Sequence, residues 1–166
     1  GLGEYRMYYP YPERWFPMSM YSDQWLPGTG ELNQNLRNFE GERLVLFDEE
    51  KVYDQIIADG RFPEFSNTFL IVAGPERSDL PVYVKYSNDR AKEFMIRTDI
   101  LKTEDGCQVR KVPVSQEAKA HVTAMKHWEE VLGTQYAAAC VKVNHCELKE
   151  DAAYFEFLSG HTLEER

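Results

Sequence analysis

The chain has 166 residues, an apolar fraction of 43% and a formal charge of −9, enough apolar material for one ordinary domain or two small units sharing a core. Interleaved acids and bases under a net negative total exclude a nucleic-acid surface, and the longest apolar runs, such as Phe69-Leu70-Ile71-Val72-Ala73, are far too short for a membrane span. Three cysteines without Cys-x-x-Cys, and a start that lacks a signal-peptide pattern, predict a reduced, cytoplasmic protein with neither a disulfide framework nor a zinc ribbon.

In chain order, Tyr5-Arg6-Met7-Tyr8-Tyr9 alternates like a strand, and Pro10-Tyr11-Pro12-Glu13-Arg14-Trp15-Phe16-Pro17 reads as unable to continue one. This aromatic segment reads either as a loop tacked onto the core by Trp15, Phe16 and Trp25, or as a rigid stacking platform. Gly28-Thr29-Gly30 and the polar run 31–43 read as loop; the Gly-x-Gly has no buried strand before it and is no phosphate fingerprint. Leu44-Val45-Leu46-Phe47 is a strand or loop anchor. Asp48 then caps a short amphipathic helix with Val52, Tyr53, Ile56 and Ile57 at helical spacing, closed by Asp59-Gly60. Asn67-Thr68-Phe69-Leu70-Ile71-Val72-Ala73, apolar on both faces, predicts a strand in the middle of a sheet. The linker-like composition of 74–81 places a boundary there, giving segments 1–74 and 75–166.

Beyond the boundary, segments 82–86 and 92–101 alternate as two antiparallel strands, and Glu104-Asp105-Gly106 turns into a third, 107–114. Within it Lys111 shares a face with Cys107 and Val109, and Arg110 shares the other with Val112 and Val114, so one of these bases must lie against something buried. Ser115 caps a helix whose stripe is Ala118, His121, Val122, Met125, Trp128 and Leu132, with Glu117 at its border and Gly133 at its end. Segments 141–148 and 152–158 supply two more strands. The expected fold is α+β: an antiparallel sheet of about five strands with one packed helix, preceded by an aromatic, proline-rich segment with a short helix and a buried strand. Asp99, Asp105, Glu147, Glu150 and Asp151 read as solvated acids at turns or strand ends. Cys140, among alanines, reads as a buried inert thiol, and no histidine or cysteine spacing suggests a metal cluster.

Two resemblances follow from these residues. Tyr8-Tyr9-Pro10-Tyr11-Pro12, Phe16-Pro17, Tyr21-Ser22-Asp23, the stretch from Asn38-Phe39 to Phe47-Asp48, and Phe65-Ser66-Asn67-Thr68-Phe69-Leu70-Ile71-Val72 resemble the tail of bacterial class I S-adenosylmethionine-dependent methyltransferases. That family's glycine-rich turn and following acid have no counterpart in this chain, so S-adenosylmethionine is not an expected cofactor. The order strand, strand, strand, helix, strand, strand, closed by Phe155-Glu156-Phe157-Leu158, is similar to the small lobe of protein-kinase-like phosphotransferases, particularly the bacterial lipopolysaccharide-kinase and small-molecule-kinase branches.

The second resemblance implies ATP with magnesium as ligand. Lys111 would meet the phosphates, with Arg110 the alternative; Glu117 would be the lysine's partner on the helix; and the backbone of Glu156, Phe157 and Leu158 would face adenine. The snorkelling of Lys111 from a sheet edge stands beside this as the plain account. Thr162-Leu163-Glu164-Glu165 is a capping box for a further helix, which implies a longer parent chain; the two resemblances imply that this parent is a multidomain bacterial protein of surface-polysaccharide biosynthesis. Expected partners are the flanking domains of that parent and a second copy meeting through exposed sheet edges; a module that only braces neighbouring transferase domains is the alternative.

Overall fold

The computed structural model describes residues 3–32, 46–75, 77–135 and 143–160. The described strands and helices form an antiparallel α+β fold with two helices and eight strands, not about five. The chain divides into two compact units, Gly1–Tyr86 and Ser87–Arg166.

In the first unit, β1 (Tyr5–Tyr11) pairs with β2 (Ser19–Ser22) on one side and β3 (Leu70–Ala73) on the other, and β2 pairs with β4 (Tyr83–Tyr86). Contrary to the expected stop at Pro10, β1 runs on to Tyr11 with Pro10 opposite Met20. The pairing with β3 covers only 5–8, so Pro10 lies where β1 no longer has a strand on that side, and its missing N–H interrupts no second ladder. Tyr9, Tyr11, Tyr21, Leu32 and Phe62 form the core, with Tyr53 and Ile57 of α1 (Glu49–Ala58) packed against it. Edge-on ring contacts dominate: Tyr9 to Phe62 at 6.0 Å and Tyr21 to Phe62 at 5.5 Å between centroids, the geometry that ring quadrupoles favour. Of the expected anchors, Trp25 packs against the core, whereas Trp15 and Phe16 are exposed, because the alternation of β1 and β2 directs three tyrosines into the core. Asp48 caps α1 as expected, accepting from the Lys51 N–H at 3.3 Å.

The apolar run expected in mid-sheet is the edge strand β3. Among the described residues it pairs only with β1, and Phe69, Leu70 and Ile71 are all exposed. An apolar run marks a strand without marking its place in the sheet.

In the second unit the strand order is β5 (Ile96–Thr103), β6 (Gly106–Pro113), β8 (Ala152–Glu156), β7 (Cys146–Lys149). Residues 92–94, expected as strand, make a 3-10 turn before β5. Helix α2 (Lys119–Gln135) lies on one face of this sheet, where Ile96, Val122, Cys146 and Ala153 close a core joined by Met125 and Phe155. Ser115 caps the start of this helical segment as expected, its hydroxyl oxygen accepting from the Ala118 N–H at 3.1 Å. Of the expected apolar stripe, Ala118 and Val122 are buried, whereas Trp128 and Leu132 are exposed, and Gly133 lies inside the helix instead of ending it. The expectations for 33–45, for Cys140, for the first residues of the 141–148 strand and for the 162–165 capping box lie outside the described residues.

Candidate functional site

Strand β6 carries two adjacent cations that point to opposite faces of the sheet. Its register sets Thr98 opposite Lys111 and Asp99 opposite Arg110 on the β5 side, and Ala153 opposite Lys111 on the β8 side. Because side chains alternate, Lys111 shares its face with Val109, Ile96, Ile100, Ala153 and Phe155, the face that carries α2.

Lys111 is half-buried, and its ammonium sits 5.8 Å from the centre of the Phe155 ring. Three described lysines are half-buried: Lys119 is held by Asp151 at 2.6 Å and Lys126 by Glu129 at 2.5 Å, whereas Lys111 pairs with no acid among the described residues. Burial, and then the nearby Arg90 guanidinium, hold its pKa below the ordinary lysine value. A cation kept from water beside a second cation is a place where an anion is favoured.

Glu117 is not brought to Lys111. It is exposed, and its own backbone N–H and the Ser115 hydroxyl, helped by Lys92, hold its carboxyl below the usual range. The five residues between the two hold the end of β6 and the Ser115 cap, so Glu117 stays at the helix entrance with the groups that order it. The strand ladder ends at Glu156, opposite Gln108, with the Glu156 carbonyl accepting from Asn144 Nδ2 at 2.8 Å. Phe157 is half-buried and Leu158 exposed just beyond it. Glu156 lies three residues along β8 from the partner of Lys111, about 10 Å in the strand direction at ~3.3 Å per residue.

On the opposite face lies a cluster that sequence reasoning missed. Asp99, read as a solvated acid, is in mid-strand and completely excluded from solvent. Arg97 donates to it from Nε at 2.8 Å and from Nη2 at 3.0 Å, and Arg110 from Nε at 2.9 Å, with its Nη2 in ion contact at 2.7 Å. Burial pulls the Arg110 pKa down, but its bonds to Asp99 and Tyr154 outweigh that and leave it raised. The signal was available: in a two-residue repeat Arg97 and Asp99 share a face between the buried Ile96 and Ile100.

The first unit has a cleft of about 730 Å³ whose lining includes Tyr5, Arg6, Asp23, Val72, Gly74 and Arg77. Three of its charged groups are engaged within the chain. Arg6 donates to the Leu80 carbonyl at 2.8 Å, Arg77 pairs with Asp79 at 2.5 Å, and Asp23 accepts from the Tyr9 hydroxyl. Lys111 is therefore the better candidate for an external ligand. Compared with protein-family models, curated proteins and solved structures, the chain finds no match in any of the three.

Proposed function

We propose that the second unit is the nucleotide-binding small lobe of a kinase-like phosphotransferase, part of a multidomain bacterial enzyme of surface-polysaccharide biosynthesis, and inactive by itself. The observation that carries this reading is Lys111: half-buried, on the helix-bearing face, close to Arg90 and, among the described residues, in no ion pair with an acid. That environment fits the phosphates of ATP, whose charge magnesium would share. The order β5, β6, β8, β7 with a helix inserted between β6 and β7 supports the same reading, as does the release of the chain from the ladder after Glu156, where Phe157 and Leu158 would face adenine. Glu117 drops out as the lysine's partner and remains an ordering group for the start of α2. The large lobe of the parent would supply the general base and the metal-holding carboxylates.

Titration of the labelled chain with ATP and magnesium should shift the amide resonances of Lys111 and of 156–158, and Lys111→Ala should abolish those shifts. Resonances that stay still at millimolar nucleotide would end the proposal.

A second reading is favoured by β3. Its apolar, uncharged edge, unpaired among the described residues, suits an interaction module that braces neighbouring domains or meets a second copy without binding nucleotide.

A further inference from the structure

We infer that Asp99 is a positioning residue: by holding Arg110 on the face away from α2, it fixes the phase of β6 and so turns Lys111, instead of Arg110, toward the helix. The inference rests on the reading of Lys111 as the phosphate-binding cation and deepens it, because it names the group that selects which of two adjacent cations is presented.

The apolar pattern of β6 does not make that choice. One face carries Cys107, Val109, Lys111 and Pro113, the other Gln108, Arg110 and Val112, and all seven are half-buried. Each face thus has one cation and some apolar surface, and a shift by one residue would exchange them with little change in apolar burial. Strand β5 is different, since Ile96 and Ile100 on the helix face are buried and resist such an exchange. The turn at Glu104 and Asp105 sets Thr103 opposite Gly106, which pins the near end of the hairpin, whereas Arg110 lies four residues further on.

At that distance the specific element is the carboxylate. Asp99 has no exposure; it accepts one hydrogen bond and takes an ion contact from Arg110 across the strands, and accepts two from Arg97 on its own strand. Only the observed register sets Arg110 directly opposite it. A one-residue slip would send Arg110 to the helix face, bring the Lys111 side chain to the other, and leave a buried carboxylate with one arginine in place of two. Tyr154, opposite Arg110 on β8, adds an interaction that the slip would also break. Setting register is the best-attested use of a buried ionic group.

The test uses the full chain without nucleotide. Lysine side-chain NMR follows the titration of Lys111, and cross-strand Overhauser effects report the pairing of 98 with 111. In Asp99→Asn and in Arg110→Met the lysine should titrate upward, in its ordinary range, and the Overhauser effects between 98 and 111 should vanish; Arg97→Ala, which spares the cross-strand pair, should keep both as in the parent. A purely structural role for Asp99 would lower the melting temperature yet leave the Lys111 titration and the 98–111 pairing unchanged in the folded variants, and that result overturns the inference. If Asp99→Asn fails to fold, Arg110→Met decides, because Asp99 then keeps Arg97. Adding ATP and magnesium to the parent separates the two proposals: silence toward nucleotide removes the phosphate reading, while the effect of Asp99 on Lys111 is read independently of it.

Discussion

Burial and a like charge both disfavour the ammonium form of Lys111, so this side chain destabilises the folded chain in proportion to how long it stays protonated. Replacing it by methionine keeps the stem that lies on Phe155 and removes the charge. Lys111→Met should therefore raise stability at neutral pH, by on the order of 1 kcal/mol, while abolishing the nucleotide-dependent shifts. The sign of the pH dependence follows from the direction of the shift. With the folded value below the unfolded one, the burden is complete at low pH. It is relieved as pH rises from the folded value toward the ordinary value of 10.5, because the unfolded chain then holds the proton that the folded chain has released. The advantage of the methionine variant in urea unfolding should therefore shrink as the pH is raised toward the ordinary lysine value of 10.5. A variant less stable than the parent at neutral pH would mean that the lysine is held by a favourable contact. Sequence alternation was enough to say that Lys111 and Arg110 oppose each other. It could not say which was paired, because the deciding acid, Asp99, lies eleven positions from Arg110 and twelve from Lys111.

At the scale of elements, local signals were the legible ones. Asp48 and Ser115 both cap helical segments as their sequences predict, since a cap depends only on the next three residues. Placement within a sheet depends on distant partners, and there β3 departs from expectation. It became an edge although both of its faces are apolar, and nothing charged blunts it between Phe65 and Pro75. Helix α2 departs for a related reason. Its 17 residues extend about 25 Å at ~1.5 Å per residue, whereas β7 and β8 have four and five residues, so the stripe beyond Met125 reaches Trp128 and Leu132 without being covered. If the β3 edge meets a second copy, sedimentation should show concentration-dependent association, and Ile71→Lys should reduce it at least several-fold with little change in melting temperature, because Ile71 is 48% exposed. Unchanged association in that variant would exclude β3 as the contact.

At the scale of the whole molecule, the α+β class and the antiparallel pairing were legible, because strand alternation and helix spacing repeat over many residues; the number of strands was not. The alternation of Tyr5 to Tyr9 marked most of β1, but the prolines hid its last two residues and the sequence did not mark β2, and only their pairing reveals a core built from rings. That core and the one under α2 share no residue. Phe62 touches Tyr9, Tyr11, Tyr21 and Tyr53 at centroid distances between 5.5 and 6.5 Å, so Phe62→Ala removes the ring on which the first core converges, at a cost of about 3–5 kcal/mol. The second core keeps its own apolar packing and the Asp99 cluster. Hydrogen exchange should therefore quicken at the amides of β1 and β2 in this variant, with those of Val109, Arg110, Lys111 and Tyr154 protected as in the parent. Equal acceleration in both sets would mean that the two cores open as one cooperative unit, and any nucleotide site on Lys111 would then depend on the aromatic unit for its order.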